Sequence, residues 1–290
     1  MQLYYFEGDN FGDRLNPFLF GALFNQVDFA ERFPEHLFLG VGSILGEEAF
    51  DHIPPDLKAV VFGAGIRRQT VTRPPNILPE FVRGPLSAKR MDCPFIADAA
   101  YLLPFMKEYP ALAASGKQCR VSLIPHYRHV ATIDWERIAR TTGINVIMPD
   151  WPVPRVLRAV AASEFVIGGA MYGCILADIL RIPWARLRFR IHEADLETQL
   201  LKWEDWTGAF GLEKYPVFTM KTLNTASRQP TIGLEDELIG VLNSRVRTDE
   251  FALTGDAVFE DVIERLREAV RSFSRKFGIS VNPYRTIGLQ

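Results

Sequence analysis

The stretch "FVIGGAMYGCILADILRIPW", residues 165–184, decides the fold. Its first residues continue a short apolar run over 164–168, two glycines follow at 168–169, and an apolar helical pattern covers 173–180. A glycine turn between a strand and a helix is where α/β proteins place ligands. This turn has no charged residue, and a tyrosine, Tyr172, stands where a ligand would approach. The stretch therefore predicts one strand–turn–helix unit and leaves open whether its turn is a working site.

The same alternation of short apolar strands and amphipathic helices extends in both directions along the chain. The predicted strands are 2–6, 36–42, 59–65, 78–84, 120–127, 144–149, 164–168 and 184–189. The predicted helices are 13–24, 135–143, 153–163, 173–180 and 256–278. Strands that alternate with helices predict βαβ units and mainly parallel sheets, hence an α/β fold. The stretch 219–255 has no clear period, and we expect irregular structure there.

The boundaries of the domains follow from changes in pattern. The segment 107–118 is small, polar and weakly periodic, so it predicts a junction between a first lobe over 1–112 and a second over 113–255. The segment 256–277 repeats apolar residues every three to four positions, with acidic residues at its start and basic ones at its end. It predicts a long amphipathic helix that belongs to neither series of strands.

Composition limits the classes of function. The chain has 290 residues and a net charge of −2, so no global field attracts nucleic acid. Its three cysteines fit neither a disulfide nor a zinc spacing. The first residues lack the pattern of a signal peptide, and no apolar run is long enough to span a bilayer. We expect a cytoplasmic protein, and peripheral contact with the inner face of the membrane stays open.

Glycines mark three predicted strand ends, at 40–43, 63–65 and 168–169. Glycine lets backbone N–H groups approach a ligand closely, but it also simply ends strands. The segment "GVGSIL", which contains Gly42 and Ser43, lacks the third glycine of a dinucleotide-binding fingerprint. Gly65 and Gly169 stand in the other two turns. These turns therefore predict either backbone donors for a ligand or plain strand ends.

Polar residues beside these turns are candidates for chemistry. Asn10 and Asp13 follow the first strand in "DNFGDRLN" and could bind substrate or cap the next helix. Arg83 suits bidentate recognition of a carboxylate or phosphate, and its alternative is a salt bridge. His126 follows the strand that opens the second series, where structural and catalytic roles are equally open. His129 is predicted to lie on the surface, and no histidine spacing fits a metal site.

The motifs "NFGDRLN", "GVGSIL", "VFGAGI", "VRGPLSA", "IPHY", "AMYGCILADILRIPW" and "KWEDW", in this order, resemble the polysaccharide pyruvyl transferase family. The resemblance runs from about residue 4 to about residue 210 and is nearest to the branch that acts on bacterial exopolysaccharide. It implies two Rossmann-like lobes facing a cleft, as in the GT-B glycosyltransferases, with the final helix crossing back onto the first lobe. It also implies transfer of pyruvate from phosphoenolpyruvate to a sugar of an exopolysaccharide or lipid-linked repeat unit. The products are a cyclic ketal and phosphate, and no metal or other cofactor is expected.

This chemistry needs cations for the donor, a general acid for its carbon 3 and a base for the sugar hydroxyl. The predicted catalytic residues are Asp13 as base, His126 as acid or phosphate contact, and Tyr172. The predicted substrate-binding residues are Asn10, Gly12, Gly42, Ser43, Gly65, Arg83, Ser87, Gly169 and Trp203. Arg83 is the predicted anion clamp, and Arg67 and Arg68 are further candidates for that role. Trp203 could stack on a sugar or pack in the core.

One position departs from the family pattern. The family usually has a histidine in the turn after the last glycine pair, and Tyr172 stands in its place here. Tyrosine has a reference pKa of about 10 and supplies no positive charge at neutral pH. Tyr172 therefore predicts a neutral hydrogen-bond donor in a variant pyruvyl transferase, or a change of activity. The alternatives are a GT-B glycosyltransferase that uses a nucleotide sugar, and an inactive saccharide-binding relative.

Overall fold

Two parallel sheets form the framework of the protein. The computed structural model describes residues 1–190, 193–223, 233–246 and 251–282. The first sheet has the order β1 (Gln2–Leu3), β2 (His36–Leu39), β3 (Lys58–Phe62) and β4 (Ile77–Phe81). The second has the order β6 (Asn145–Val146), β5 (Cys119–Ile124), β7 (Ser163–Gly168), β8 (Trp184–Arg190) and β9 (Val217–Leu223). Neighbouring strands pair in parallel in both sheets, which confirms the predicted α/β fold of two Rossmann-like lobes.

The five predicted helices are all present, and the described residues form six further α-helices. They are α1 (Phe11–Leu23), α2 (Gln26–Glu31), α3 (Glu47–Phe50), α4 (Pro85–Met91), α5 (Tyr109–Ala113), α6 (Trp135–Thr142), α7 (Val153–Ala161), α8 (Met171–Ile179), α9 (Glu193–Gly208), α10 (Leu234–Arg245) and α11 (Asp256–Phe277). The predicted five are α1, α6, α7, α8 and α11. Two 3₁₀ helices cover Ala99–Phe105 and Tyr127–His129. Within the described ranges, no helix combines the length and apolar character needed to cross a membrane.

Two turns at the carboxyl edge of the first sheet are tied together. The buried Asn16 of α1 accepts a hydrogen bond from the Val41 N–H at 2.8 Å and donates to the Val41 carbonyl at 2.9 Å. The Gly65 N–H after β3 donates to the Gly42 carbonyl after β2 at 2.9 Å. Gly42 has a φ of +134°, a conformation that favours glycine. Because these bonds fix both turns, the strand ends form a rigid edge.

The last described helix, α11, crosses back onto the first sheet. The Phe273 ring lies 5.3 Å from that of Phe24, 5.5 Å from that of Phe38 and 5.2 Å from that of Phe62. Gly278 ends the helix in the left-handed conformation, with a φ of 61°. The amphipathic pattern thus predicted this helix correctly, and its apolar stripe packs against the first lobe.

The prediction of irregular structure over 219–255 is wrong for the residues that the structure describes. Strand β9 pairs with β8 and buries Phe218 and Met220, while α10 buries Leu234, Leu238 and Leu242. The apolar residues of α10 recur at every fourth position over only 12 residues, too short a stretch to stand out. Two predicted strands are also shorter than expected, since β1 ends at Leu3 and β6 covers only Asn145–Val146.

Candidate functional site

The carboxyl edges of the two sheets meet around Tyr172. This residue lies in the first turn of α8, directly after the glycine turn that ends β7. Its ring packs on Gly12 of α1, where an added Cβ would lie 2.8 Å from Tyr172 Cδ2. Because Gly12 has no side chain, it allows the two lobes to pack closely at this point. Tyr172 lies at the seam between them, and its position in the wall of a substrate cleft stays a prediction.

The Tyr172 hydroxyl has a carboxylate partner that sequence reasoning missed. It donates a hydrogen bond to Asp98 Oδ2 at 3.0 Å, and Asp98 Oδ1 accepts from the Ala100 N–H at 3.0 Å. Asp98 is fully buried, and burial raises its pKa to about 6, although the nearby charge of Arg83 acts in the opposite direction. Burial and the Asp98 charge raise the pKa of Tyr172 well above its usual value. Tyr172 is thus a neutral donor bound to a carboxyl group that titrates close to neutrality.

Asn10 and Asp13 form a second polar pair beside this seam. Asn10 is the N-cap of α1 and accepts a hydrogen bond from the Asp13 N–H at 3.1 Å, as the capping interpretation predicts. The Asn10 side-chain amide also donates to Asp13 Oδ2. Burial raises the pKa of Asp13 to about 6, so its carboxylate is ionised at neutral pH but close to its titration range. Its role as a base for a sugar hydroxyl stays a prediction.

Arg83 is buried in a group of hydrogen bonds that joins the two lobes. Its Nε donates to Asp205 Oδ2 at 3.0 Å and its Nη1 donates to Ser43 Oγ at 2.7 Å. Ser87 donates to the same carboxylate from its N–H at 2.8 Å and from its hydroxyl at 2.5 Å. We call Asp205, Arg83, Ser43 and Ser87 the Asp205 clasp. The side chains of Arg83 and Asp205 are both 0% exposed, so the clasp links α9 to the first lobe away from solvent.

The clasp changes the interpretation of four sequence candidates, of which Ser43 accepts a hydrogen bond from Arg83. Arg83 and Ser87 were predicted to contact substrate, but the structure places both against Asp205. Gly65 provides the room for Arg83, because an added Cβ would lie 2.1 Å from Arg83 Cζ. The partner of Arg83 lies 122 residues further along the chain. No local pattern could have revealed that pairing.

A cluster of basic residues lies beside the clasp. We call Lys202, Arg186, Arg128 and Arg67 the cationic cluster. The pKa of Lys202 is lowered to about 7, first by burial and then by the positive charges of Arg186, Arg83, Arg128 and Arg67. No hydrogen bond or ion pair reaches the Lys202 ammonium from the described part of the chain. A group of cations in which the lysine has no acidic partner is suited to hold an anion with several charges.

The Trp203 side chain packs against the guanidinium of Arg186. The guanidinium of this β8 residue lies over the Trp203 ring at 4.4 Å, and its Nη1 donates to the Tyr215 hydroxyl at 3.3 Å. Trp203 is only 1% exposed and packs with Trp184 and Trp206. The structure therefore favours core packing over stacking on a sugar, and Trp203 supports Arg186 from below.

Two histidines, His126 and His129, follow β5, and both are half-buried. His126 caps the 3₁₀ helix Tyr127–His129, accepting the Arg128 N–H on Nδ1 at 3.3 Å. Burial, followed by the Lys202 charge, lowers its pKa well below the usual range, so it is neutral. His129 is half-buried against Phe189 at 4.2 Å, and burial lowers its pKa to about 4. The surface position predicted for His129 is therefore wrong.

Gly169 brings the ends of β5 and β7 together. Its N–H donates to the Ile124 carbonyl at 2.8 Å, and an added Cβ would lie 3.0 Å from the His126 nitrogen. The N–H groups of Gly65 and Gly169, predicted as ligand donors, are therefore used within the fold. Across the described ranges, no three His, Cys, Asp or Glu side chains are grouped as a metal site.

Lys202 and Asp205 carry much of this site and lie in "KWEDW", a motif that was noticed in the sequence for its aromatic residues. They stand one helical turn apart on α9. Their signal was the alternation of charged and aromatic residues, which a buried helix can use to place charge in a cleft. Asp98 had no comparable signal, because its segment "PFIADAAYLL" is otherwise apolar and contains no recognisable motif.

Comparison with known proteins gives one clear relative. The sequence matches no family model, and no solved structure matches it. It is 30% identical over 224 residues to the succinoglycan biosynthesis protein ExoV of Rhizobium meliloti (strain 1021), a match that covers 74% of this chain and 67% of that protein. At this identity and coverage, the chain belongs to the same family as the succinoglycan biosynthesis protein ExoV.

Proposed function

We propose that the protein is a transferase of exopolysaccharide biosynthesis that moves a pyruvyl group from phosphoenolpyruvate to a sugar, forming a cyclic ketal and phosphate. The observation that carries the proposal is the cationic cluster, together with the Tyr172–Asp98 pair; the charge of Arg83 acts on both Lys202 and Asp98. Phosphoenolpyruvate combines a phosphate with a carboxylate, and such a dense anion needs several cations in one place. Kinship with a succinoglycan biosynthesis protein supports a saccharide as the acceptor.

The cationic cluster suits the donor in charge. Lys202 has no acidic partner in the described part of the chain, and its pKa of about 7 leaves it partly deprotonated at neutral pH. A bound anion stabilises the ammonium form, so binding of phosphoenolpyruvate draws a proton onto Lys202. His126 is neutral and lies within reach of the Lys202 charge, which suits a hydrogen bond to phosphate more than a second positive charge.

We assign the proton donor for carbon 3 to the Tyr172–Asp98 pair. Tyr172 gives its proton to carbon 3 while a protonated Asp98 gives its own to the Tyr172 oxygen, and a sugar oxygen bonds to carbon 2. The first hydroxyl proton passes to Asp13, whose pKa of about 6 lets it accept that proton at neutral pH. A second hydroxyl then displaces phosphate. Over the whole reaction, one hydroxyl proton replaces the one used at carbon 3 and the other leaves on phosphate.

A nucleotide-sugar glycosyltransferase is the second candidate, because the same cationic cluster could hold a diphosphate. Thermal unfolding with phosphoenolpyruvate, UDP, GDP or CMP separates the two. We expect phosphoenolpyruvate alone to raise the midpoint, since a ligand that binds the native state stabilises it. Phosphate release in the presence of a lipid-linked oligosaccharide, followed by ³¹P NMR, then tests transfer itself.

Lys202→Met provides the matched test of the anion site. We expect it to remove the stabilisation by phosphoenolpyruvate, while Lys214→Met, at an exposed lysine, retains it. Stabilisation by a nucleotide and not by phosphoenolpyruvate would overturn the proposal. Binding of phosphoenolpyruvate without any phosphate release, restored by Tyr172→His, would instead indicate a degenerate site.

A further inference from the structure

A cavity of about 670 Å³ opens at the carboxyl edge of the first sheet, next to the cationic cluster. Residues that follow β1, β2 and β3 line it, among them Tyr5, Phe6, Glu47 and Arg67. Its volume is typical of a small-molecule site, within about 300–1,000 Å³. Arg67 lines the cavity and its charge also acts on Lys202, so the cavity and the cluster are neighbours.

The lining of the cavity combines three aromatic residues, two glutamates and two arginines with apolar and small residues. Phe6 is 68% exposed, which is a large exposed surface for a phenylalanine, and Tyr5 is half-buried beside it. Glu47 on α3 is exposed, and its side-chain carboxylate receives no hydrogen bond or ion pair from the residues described. An aromatic face attracts the polarised C–H groups on one side of a pyranose ring, and a free carboxylate accepts hydrogen bonds from its hydroxyls.

The charged side chains of the cavity balance one another, two arginines against two glutamates, so the lining has no excess positive charge to attract an anion. The cations at its rim, Arg67 and Arg68, already pair with Glu48 at 3.5 Å and 2.9 Å. Glu47 adds a negative charge that has no counterion among the described residues. A phosphate or carboxylate would therefore bind at the cationic cluster, where Lys202 has no acidic partner, and a neutral polyol would bind in the cavity.

We propose that this cavity binds one sugar ring of the acceptor, with the ring face on Phe6 and hydroxyls on Glu47. The inference rests on the proposed function, because a transferase needs its acceptor next to its donor. It adds to that function a place and a chemical class for the acceptor: a neutral hexose residue. The shared residue Arg67 sets the two substrates side by side across the edge of the first sheet.

Saturation-transfer NMR with methyl β-glucoside and methyl β-galactoside tests the cavity directly. Phe6→Ala and Glu47→Gln should each weaken the binding of the sugar that binds the wild type by about tenfold, the loss of one stacking or hydrogen-bonding contact. Leu78→Ala and Glu260→Gln are the matched controls, since both side chains are exposed and lie outside the cavity. Both should leave the binding unchanged.

The same variants separate this inference from the proposed function. Stabilisation by phosphoenolpyruvate reports only on the cationic cluster and should persist in Phe6→Ala. Sugar binding that is equal in the wild type and in both cavity variants overturns the inference, whatever phosphoenolpyruvate does. Absence of sugar binding in the wild type overturns it as well. Loss of sugar binding in both variants with normal controls supports it, even if phosphoenolpyruvate does not bind.

Discussion

Lys202 departs further from the ordinary surroundings of its residue type than the other candidates. Lysine is rarely buried without a carboxylate, because desolvation disfavours its charged form. Here the ammonium is half-buried, next to arginines and a neutral histidine, and its pKa is lowered to about 7. An ionisable group whose burial lowers the stability of the folded protein is a candidate for a functional role.

Replacement of this lysine should therefore stabilise the protein. The pKa of Lys202 is lower in the folded chain than in the unfolded one, so the unfolded chain binds more protons between about pH 7 and about pH 10. Wild-type stability should rise with pH across that window. Lys202→Met should remove this component of the rise and unfold at higher urea below about pH 7. A series of urea titrations across the window measures it, with Lys214→Met as control. A variant less stable than the wild type at low pH would contradict the argument.

Tyr172→Phe should remove phosphate release while it leaves the fold intact. It deletes the hydroxyl that donates to Asp98, and loss of a positioned proton donor costs on the order of 10²–10⁴ in rate. Tyr109→Phe deletes another half-buried hydroxyl, which donates to the Ile179 carbonyl, and should keep the full rate. Steady-state phosphate release measures both.

The pH profile of the wild type adds an independent check on this pair. The pKa of Asp98 is raised to about 6, so its protonated form is lost as the pH rises through about 6. If Asp98 supplies the proton, turnover should fall on the alkaline side of that value. Equal rates for Tyr172→Phe and the wild type would remove Tyr172 from the chemistry.

Some residues of the candidate site were named from the sequence and others were missed, for a physical reason. Three candidates, Asp13, His126 and Tyr172, follow predicted strands. In parallel sheets the carboxyl ends of the strands lie at one edge, and ligands bind there. Asp98 caps a short 3₁₀ helix inside an apolar segment, and its polar partner Tyr172 is 74 residues away. A pairing between distant segments leaves no local pattern.

At the scale of elements, α9 carries both the anion site and the link between the lobes. Lys202 belongs to the cationic cluster, Trp203 packs under the Arg186 guanidinium, and Asp205 forms the clasp with Ser87 of α4. The backbone of α9 approaches α4 so closely that an added Cβ on Gly84 would lie 1.7 Å from the Asp205 carbonyl oxygen. One helix thus fixes the position of the anion site relative to the first lobe.

Asp205→Ala should destabilise the protein strongly. It leaves the buried Arg83 guanidinium without a carboxylate and the two Ser87 donors without an acceptor. Removal of one partner of a buried ion pair costs about 3–5 kcal/mol of unfolding free energy. Urea denaturation measures the change. Glu204→Ala, at the exposed neighbouring position, should change stability by less than about 0.5 kcal/mol. Equal stability of the two variants would show that the clasp contributes little.

Helices and strands were predictable from the sequence where the apolar pattern repeats over many residues. The 22 residues of α11 show several turns of an apolar stripe, and the prediction is confirmed. Strand β9 and helix α10 were missed, because "VFTMKTL" contains a lysine and two threonines and α10 buries only one side of three turns. Packing against β8 and α6, rather than local pattern, selects their conformation.

At the scale of the molecule, α11 joins the end of the chain to its beginning. Phe273 is fully buried among the aromatic rings of the first lobe, and Lys276 forms an ion pair with Glu80 of β4 at 2.5 Å. Arg265 donates to the Phe95 carbonyl at 2.7 Å. The helix follows the second lobe in sequence but depends on the first lobe for its packing.

Phe273→Ala should therefore destabilise the first lobe by about 3–5 kcal/mol, the usual cost of deleting a buried phenylalanine side chain. Val258→Ala, at an exposed position of the same helix, should cost less than about 0.5 kcal/mol. Thermal unfolding of both variants, followed by calorimetry, measures the difference. If the midpoint of Phe273→Ala equals that of Val258→Ala, α11 does not hold the first lobe.

The Asp205 clasp has a consequence for motion. The apolar core also runs without a break from α1 of the first lobe to α7 and α8 of the second. Swinging the lobes apart would expose both this core and a buried guanidinium–carboxylate pair, so we expect such opening only in rare fluctuations slower than turnover. Ligands would then reach the site without a movement of the lobes, and no free energy of binding would be used to close a hinge. The binding site would be preorganised, and the turnover rate would be insensitive to the viscosity of the medium.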